Sequence, residues 1–236
     1  MPEPLILSWS GGKDSALALE ALRAGGEHDP IVLLTSVTAG YERVAIHGVR
    51  RELLRAQAGA LGLPLHELTL QPDGSNGAYD AALASALEEL RTRYGARRIA
   101  FGDLYLEDVR RYREERVGPL GFELLFPLWG METAALAESF IARGFQARLV
   151  CVDTTQLDAG FAGRAYDARL LADLPATADP CGENGEFHTF VTFGPGFSAP
   201  VPCDVGEVVM RGGRFAFCDL LPPAPSPSRP PARSRA

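Results

Sequence analysis

Lysine is nearly absent from this sequence: Lys13 is the only one, although lysine and arginine together number 23 among 236 residues. The formal net charge of −7 excludes a broad basic surface, so we expect no general nucleic-acid binding. No apolar run approaches the roughly 20 residues that cross a bilayer. The first residues, MPEP, also lack the basic start and apolar core of a signal peptide. We therefore expect a soluble, cytoplasmic protein without a membrane partner.

Cysteine is also sparse, and its spacing excludes common metal sites. Cys151, Cys181, Cys203 and Cys218 form no CxxC pair and have no histidine at zinc-finger spacing. We expect reduced thiols that fill the protein interior.

Short apolar runs alternate with helical patterns through the first 130 residues. The runs are LILSW, IVLLTSV, LPLHELTL, RRIAFGD and FELLFPL, and helices are predicted over 15–24, 47–61, 76–94 and 106–117. This alternation predicts an α/β fold, in which a parallel sheet of five strands carries helices on both faces. Sheets of this kind bind ligands at the carboxyl ends of their strands.

The pattern changes after residue 130. A helix over 133–143, the strand ARLVCVD and the strand-like runs EFHTFVTF, GEVVMR and GRFAFCDL predict a smaller α+β domain. We therefore predict a first domain over 1–130 and a second over 131–221. The remaining segment, 222–236, is rich in Pro, Ser and Arg, and we expect a disordered tail.

The first motif, SWSGGKDS, follows the first predicted strand and has the ingredients of a phosphate site. Glycines allow a tight turn with inward amide groups, the following helix adds its positive end, and a lysine and an aspartate suit phosphate and Mg²⁺. It is not a Walker A loop, because the glycine and hydroxyl spacing differ. The alternative is a plain turn in which Ser10 or Asp14 caps the helix, which leaves the lone lysine unexplained. The predicted cradle consists of Ser10, Gly11, Gly12, Lys13, Asp14 and Ser15.

The second motif, DPCGENGEFHTFV, places Glu183, Glu186 and His188 within six residues. If EFHTFV is a strand, Glu186 and His188 project to one face. A carboxylate beside an imidazole can position an amine, take its proton or coordinate a metal. The alternative is a glycine turn that leads into an edge strand with a solvated polar face.

These motifs carry a family resemblance. SGGKDS after a first strand resembles the PP-loop of the N-type ATP pyrophosphatases, which cleave ATP between its α- and β-phosphates. GENGEFHT is similar to the signature of the diphthine–ammonia ligase (diphthamide synthase) family. The resemblance to this family extends to three earlier segments, which occur in the family's order: RVAIHGVRRELLRAQAGALGLPL, FGDLYLEDVRRYREE and PLWG. The resemblance covers nearly everything before the tail. It implies a HUP-like sheet, of the adenine nucleotide alpha hydrolase type, followed by a smaller α+β domain.

The resemblance also implies roles for particular residues. The cradle would hold ATP, with Thr35, Ser36 and Val37 beside adenine and Gly102 and Asp103 near the α-phosphate. Asp14 would bind Mg²⁺. The residues implied for catalysis are Lys13, Asp14, Glu183, Glu186 and His188, and those implied for substrate binding are His47, Arg110, Arg111 and Glu114.

The implied reaction is AMP-forming amide ligation. A diphthine-like carboxylate, which a protein can carry, would be adenylated with release of pyrophosphate and then amidated by ammonia. The segment EDVRRYREE departs from the family's pattern, so the acceptor stays open, and a tRNA base or a small molecule are alternatives. A thiol-transfer enzyme using Cys181 and a non-catalytic nucleotide-binding protein are further alternatives. A monomer and an oligomer are equally compatible with the sequence.

Overall fold

The structure is a computed structural model that describes residues 2–40, 43–44, 48–71 and 76–223. His47 and most of the predicted tail lie outside the described residues. No helix in the described part of the chain is long and apolar enough to cross a membrane.

The first part of the chain forms a sheet with four helices. In chain order its elements are β1 (Glu3–Ser8), α1 (Lys13–Gly25), β2 (His28–Thr38), β3 (Arg43–Val44), α2 (Arg51–Leu61), β4 (Leu65–Leu70), α3 (Asn76–Tyr94), β5 (Arg98–Ala100), α4 (Glu107–Val117) and β6 (Glu123–Leu125). Five strands are parallel in the order β4-β2-β1-β5-β6, and the short β3 runs antiparallel beside the end of β2. The predicted five-stranded parallel sheet is confirmed.

The sheet is covered on both faces, as the alternation of β1 requires. Leu5 and Leu7 pack into a core that also contains apolar residues of α1 and α2. Ile6, between them, packs into a second core with residues of α3 and α4. Because successive side chains of a strand point to opposite faces, these two cores are the two helix layers of a doubly wound fold.

The second part of the chain forms an antiparallel sheet in the order β8-β7-β10-β9. Its elements are α5 (Thr133–Ala142), β7 (Gln146–Asp153), α6 (Ala168–Asp173), β8 (Phe187–Phe193), β9 (Asp204–Arg211) and β10 (Phe215–Leu221). The predicted strands are present. EFHTFVTF begins one residue later than predicted, so Glu186 lies in the preceding turn.

The two parts share a core. The cluster that contains Leu17 and Leu54 of the first part also contains Phe140, Phe187 and Phe190 of the second. Backbone and side-chain hydrogen bonds cross the same junction, from Val191 N to Gly11 O (2.9 Å), from Lys13 N to Thr189 Oγ1 (3.0 Å) and from Ser198 N to Ala60 O (2.8 Å). The second sheet therefore packs on the α1 and α2 layer as an extension of the same interior.

An ion-pair cluster links the two parts at a second place. Arg43 and Arg50 both donate two hydrogen bonds to the carboxylate of Asp219, at 2.7–3.0 Å. Burial by itself raises the pKa of Asp219. The hydrogen bonds from the two guanidinium groups have the larger combined effect and lower this pKa to about 2. The cluster ties β10 to the segment that precedes α2.

Candidate functional site

The loop between β1 and α1 is held by a buried glutamine that the sequence did not single out. Gln57 of α2 has no exposed surface, and its Oε1 accepts a hydrogen bond from the Trp9 indole at 3.0 Å. Its Nε2 donates to Gly11 O at 3.0 Å and to Val191 O at 2.5 Å. One side chain thus fixes the loop against both α2 and β8. No local pattern marks this role, because the partners are distant in the sequence.

Two glycines allow the loop to pass through this space. Gly11 has φ +79°, and a Cβ there would lie 2.8 Å from Gln57 Oε1. A Cβ on Gly12 would lie 3.0 Å from Thr189 O. The left-handed conformation and the close approach both exclude a larger residue at position 11.

Helix α1 begins at Lys13 with Gly12 as its N-cap residue and without a side-chain cap. The alternative of a turn capped by Ser10 or Asp14 is therefore wrong. Two neighbouring hydroxyls accept loop amides: Ser10 Oγ from Gly12 N at 3.2 Å and Thr189 Oγ1 from Lys13 N at 3.0 Å. The positive end of the helix dipole at this N-terminus favours an anion.

Lys13 lies at the centre of this region and is only 2% exposed. Its Nζ donates to the two carboxylate oxygens of Asp14 at 2.7 and 2.9 Å. Burial lowers the pKa of Lys13, but the neighbouring Asp14, Cys181 and Glu183 together raise it above its ordinary value. The only lysine of the chain is therefore a buried, charged ammonium.

A polar cavity of about 230 Å³ opens in front of Lys13, between the loops that follow β1 and β5 and the second motif. The two loops lie where the strand order reverses, between β1 and β5, which is where doubly wound sheets bind their ligands. The predicted site residues that line this cavity are Ser10, Gly12, Lys13, Asp14, Ser15, Gly102, Asp103, Glu183 and His188.

An apolar cavity of about 190 Å³ adjoins the polar one, and both are lined by Ser8, Ser10, Phe101 and Arg113. Of the three residues predicted at the end of the second strand, Thr35 and Ser36 line the apolar cavity. Val37 does not, since its side chain is buried in the protein interior.

Thr35 Oγ1 is buried and has no hydrogen-bond partner among the described residues. A buried hydroxyl without a partner costs free energy unless a ligand or water satisfies it. The apolar cavity is therefore lined by one residue whose hydroxyl has an unsatisfied hydrogen bond.

Helix α4 presents different arginines to the cavities from those predicted. Arg110 forms an ion pair with Glu114 at 2.8 Å and lies over Trp129, and Arg111 forms an exposed ion pair with Asp108. None of the predicted Arg110, Arg111 and Glu114 lines either cavity.

Arg113 and Arg116 of the same helix reach the cavities instead. Arg113 lines both, and Arg116 lines the apolar one. Arg113 pairs with Asp103, and its guanidinium lies 4.3 Å from the centre of the Phe101 ring. Their three-residue spacing places both on one face of the helix, a signal that was present in the sequence but did not distinguish this face from the solvated one.

The second motif docks on the loop that follows β5. Glu183 Oε1 accepts a hydrogen bond from Leu104 N at 2.9 Å, and Asn184 Oδ1 accepts one from the Tyr105 hydroxyl at 3.0 Å. Burial raises the pKa of Glu183 above its usual range, although the hydrogen bond from Leu104 opposes the shift. The turn itself needs Gly182, which has φ +69° and whose Cβ would lie 2.8 Å from Phe187 O.

Glu186 does not line the polar cavity. Its side chain is 1% exposed, and Oε1 accepts hydrogen bonds from Asp179 N at 2.8 Å and Asn184 Nδ2 at 3.2 Å. The shared cleft face that was expected for Glu186 and His188 is not found, because β8 begins after Glu186 and the glutamate turns inward to hold the turn.

His188 lines the polar cavity and a further cavity beside it, which Asp153, Arg214 and Phe217 also line. Burial and the charge of Lys13 lower the pKa of His188 to about 4. The imidazole is therefore neutral near pH 7 and can accept a hydrogen bond through one nitrogen.

Cys181 also lines the polar cavity but has the properties of a structural thiol. Burial raises its pKa to about 12, and its Sγ donates to Thr133 O at 3.3 Å. A reactive thiol needs a lowered pKa and access to solvent, so this geometry disfavours the thiol-transfer alternative. Within the described ranges, no three His, Cys, Asp or Glu residues are grouped so that they could hold a metal ion by themselves.

Of the comparisons with known proteins, the family models agree with the resemblance seen in the sequence. One similar solved structure is titled "predicted subunit of tRNA methyltransferase" from Methanocaldococcus jannaschii; it is 16% identical, covers 67% of this chain and 84% of that chain, and has a TM-score of 0.38. The curated proteins compared gave no match. The family model of the diphthamide synthase N-terminal domain matches residues 4–122, and that of the diphthamide synthase C-terminal domain matches residues 132–211. Because these matches cover most of the chain in the family's own order, the chain belongs to the diphthamide synthase family of ATP pyrophosphatase-type ligases.

Proposed function

We propose that this protein is an AMP-forming amide ligase, which joins ammonia to a diphthine-like carboxylate at the expense of ATP. The observation that carries the proposal is the ion pair between the buried Lys13 and Asp14 at the start of α1. It faces a polar cavity that continues into an apolar one. Triphosphate and adenine need this combination of surfaces.

The residues of the two cavities fit ATP. Adenine would occupy the apolar cavity, where the unpaired Thr35 hydroxyl can bond a ring nitrogen or the amino group. The phosphates would occupy the polar cavity, where Lys13 and the first turn of α1 supply positive charge. Gly11 and Gly12 let the loop pack closely against Gln57 and Thr189, where a Cβ would lie 2.8 and 3.0 Å from oxygen atoms, and so hold the start of α1 beside the polar cavity.

In the first half-reaction a carboxylate oxygen of the acceptor forms a bond to the α-phosphorus, and the bond from that phosphorus to the pyrophosphate oxygen breaks. In the second, ammonia forms a bond to the acyl carbon, AMP departs with the electrons of its bond, and one proton is released. Lys13 and the amide groups of α1 stabilise the charge that grows on pyrophosphate. Aligned groups of this kind are usually the largest single contribution to catalysis.

Asp14 would hold Mg²⁺ together with phosphate oxygens, since Mg²⁺ commonly binds through one or two carboxylates and its nucleotide. The ion would supply further neutralisation of phosphate charge. On the other side of the cavity, the neutral imidazole of His188 can accept a hydrogen bond from ammonia and so orient its lone pair. Glu183, fixed by Leu104 N, positions the turn that closes the cavity.

The test is the identity of the nucleotide product. Incubation with ATP, Mg²⁺, ammonium and candidate carboxylic acids, diphthine-bearing protein among them, is expected to give AMP and pyrophosphate in equal amounts. Lys13→Ala should lower the rate by ~10²- to 10³-fold. The matched control is Arg143→Ala, which removes an exposed cation that pairs only with Glu20 at 2.6 Å, and its rate should not change.

ADP as the only product, or an undiminished rate in Lys13→Ala, would contradict the proposal. ATP that is bound but never cleaved with any acceptor would favour the non-catalytic nucleotide-binding alternative. If AMP forms with a tRNA or a small molecule but with no carboxylate, the proposed cleavage of ATP is supported and the proposed carboxylate acceptor is wrong.

A further inference from the structure

Among the described residues, no strand pairs with the outer edge of β9, the last strand of the second sheet. In the order β8-β7-β10-β9 it is the last strand, and among the described residues its only strand partner is β10. Of the eight exposed large apolar side chains in the described part of the chain, five lie on the hairpin of β9 and β10: Val205, Val208, Val209, Met210 and Leu221. Contiguous exposed apolar residues on an edge strand mark a surface that pairs with another chain.

Two of the devices that usually protect such an edge, a proline and a bulge, are absent from the second half of β9. It contains no proline or lysine, and Val208, Val209 and Met210 pair with β10 without interruption. The irregularity lies earlier, where a Cβ on Gly206 would come within 2.7 Å of Asp219 O and the register shifts. Residues 207–211 therefore form a regular edge that can accept another strand.

We propose that the occupant of this edge is β9 of a second copy of the chain, paired antiparallel with Val209 opposite Val209. This register places Glu207 opposite Arg211 of the second copy, and by symmetry it does so twice. Val208 then lies opposite Met210. The two four-stranded sheets join into one continuous sheet about a two-fold axis, which is the usual symmetry of a homodimer.

Charge selects this register over its neighbours. A shift that centres the pairing on Val208 places Glu207 opposite Val209, and one that centres it on Met210 places Glu207 opposite Gly213. Shifts of two residues place Glu207 opposite itself or Arg211 opposite itself, and like charges directly opposite each other are unfavourable. Neither Glu207 nor Arg211 forms an ion pair with another described residue, so both are available to the second copy.

The experiment uses a charge exchange in the full chain. Sedimentation velocity over a range of protein concentrations is expected to show a dimer whose dissociation constant rises by ~10-fold or more in Glu207→Arg and in Arg211→Glu, because each substitution places like charges opposite each other twice. The double variant Glu207→Arg with Arg211→Glu restores both pairs and should restore the dimer. Since β9 lines neither nucleotide cavity, ATP cleavage measured in parallel reports that the variants are folded.

Hydrogen exchange of the β9 amides shows whether a second copy of the chain or another segment of the same chain covers the edge of β9. Protection that increases with protein concentration supports self-pairing. A monomer at every concentration overturns it, and if the β9 amides are nevertheless protected, another segment of the same chain covers the edge. A dimer that neither single substitution weakens overturns the proposed register.

Discussion

At the scale of single residues, Lys13 and His188 both line the polar cavity, and the charge of Lys13 affects the pKa of His188. The ammonium of Lys13 keeps its charge because Asp14 contacts it at 2.7 Å. The same charge, together with burial, holds His188 neutral by lowering its pKa to about 4. Burial is the larger cause of the lowered pKa of His188, and the charge of Lys13, which is far away in the sequence, adds to it.

The neutral state of His188 predicts a loss of stability in mild acid. In the unfolded chain its pKa returns to 6.5, so between pH 6.5 and pH 4 the unfolded state binds a proton that the folded state does not. The free energy of unfolding should therefore fall as the pH decreases through this window, by ~1–3 kcal/mol after allowance for partial exposure. Urea unfolding at a series of pH values measures it.

His188→Gln should abolish the part of this pH dependence that belongs to His188. His66→Gln, at another histidine of the described chain, is the matched control and should leave it in place. If the two variants and the natural chain lose the same stability between pH 6.5 and pH 4, His188 is already protonated in the folded state.

At the scale of elements, the orientation of α4 determines which of its side chains line the two cavities. The sequence EDVRRYREE offers four adjacent or near-adjacent arginines, counting Arg116, and its charge pattern favours no face. In the structure Arg113 lies over Phe101 and lines the cavities, whereas Arg110 lies over Phe126 and Trp129. That orientation depends on tertiary contacts.

A matched pair of substitutions in α4 tests this orientation. Arg113→Leu is expected to weaken the binding of a non-hydrolysable ATP analogue by ~10- to 100-fold, the range for loss of a charged hydrogen bond. Arg111→Leu removes a guanidinium of the same helix that pairs only with the exposed Asp108, and it should leave affinity unchanged. Calorimetric titration of both variants provides the measurement, and equal affinities would show that Arg113 does not contact nucleotide.

The first residue of β8 also determines which side chains line the polar cavity. The strand begins at Phe187, one residue later than predicted, so Glu186 lies in the turn and accepts hydrogen bonds from Asp179 N and Asn184 Nδ2. Its neighbour His188 remains on the strand and lines the cavity. The sequence predicted the strand and its residues correctly, but the inward direction of Glu186 depends on the turn that precedes it.

At the scale of the whole molecule, the predicted boundary near residue 131 divides the chain but not its core. The family models match on either side of it, over 4–122 and 132–211. The larger apolar cluster nevertheless contains Leu17 and Leu54 from one side and Phe140, Phe187 and Phe190 from the other. Each part therefore leaves a large apolar face uncovered without its neighbour.

A fragment of residues 1–130 is expected not to fold stably alone. Each large apolar side chain that loses its burial costs about 1.5–3 kcal/mol, so loss of several exceeds the 5–15 kcal/mol that holds a typical domain together. Circular dichroism during thermal unfolding should show no cooperative transition for the fragment and a single one for the full chain. A fragment that unfolds cooperatively near the temperature of the full chain would show that the two parts are energetically independent.

Much of the fold and part of the site follow from local rules. Alternating strands and helices predicted the doubly wound sheet, and a glycine pair before the only lysine predicted the loop that lines the polar cavity. Nine of the predicted residues line the polar cavity, because they occupy loops that any sheet of this order brings together. The sequence missed Arg113 and Gln57 and misjudged Glu186.

What the sequence determined by itself was therefore the order of elements and the loop that lines the polar cavity, since backbone preferences and side-chain periodicity act over a few residues. Only the tertiary structure decided which side chains enter the cavities. The rotation of α4, the start of β8 and the bonds of Gln57 to Trp9, Gly11 and Val191 depend on packing between segments that are distant in the chain. Local pattern carries no information about those contacts.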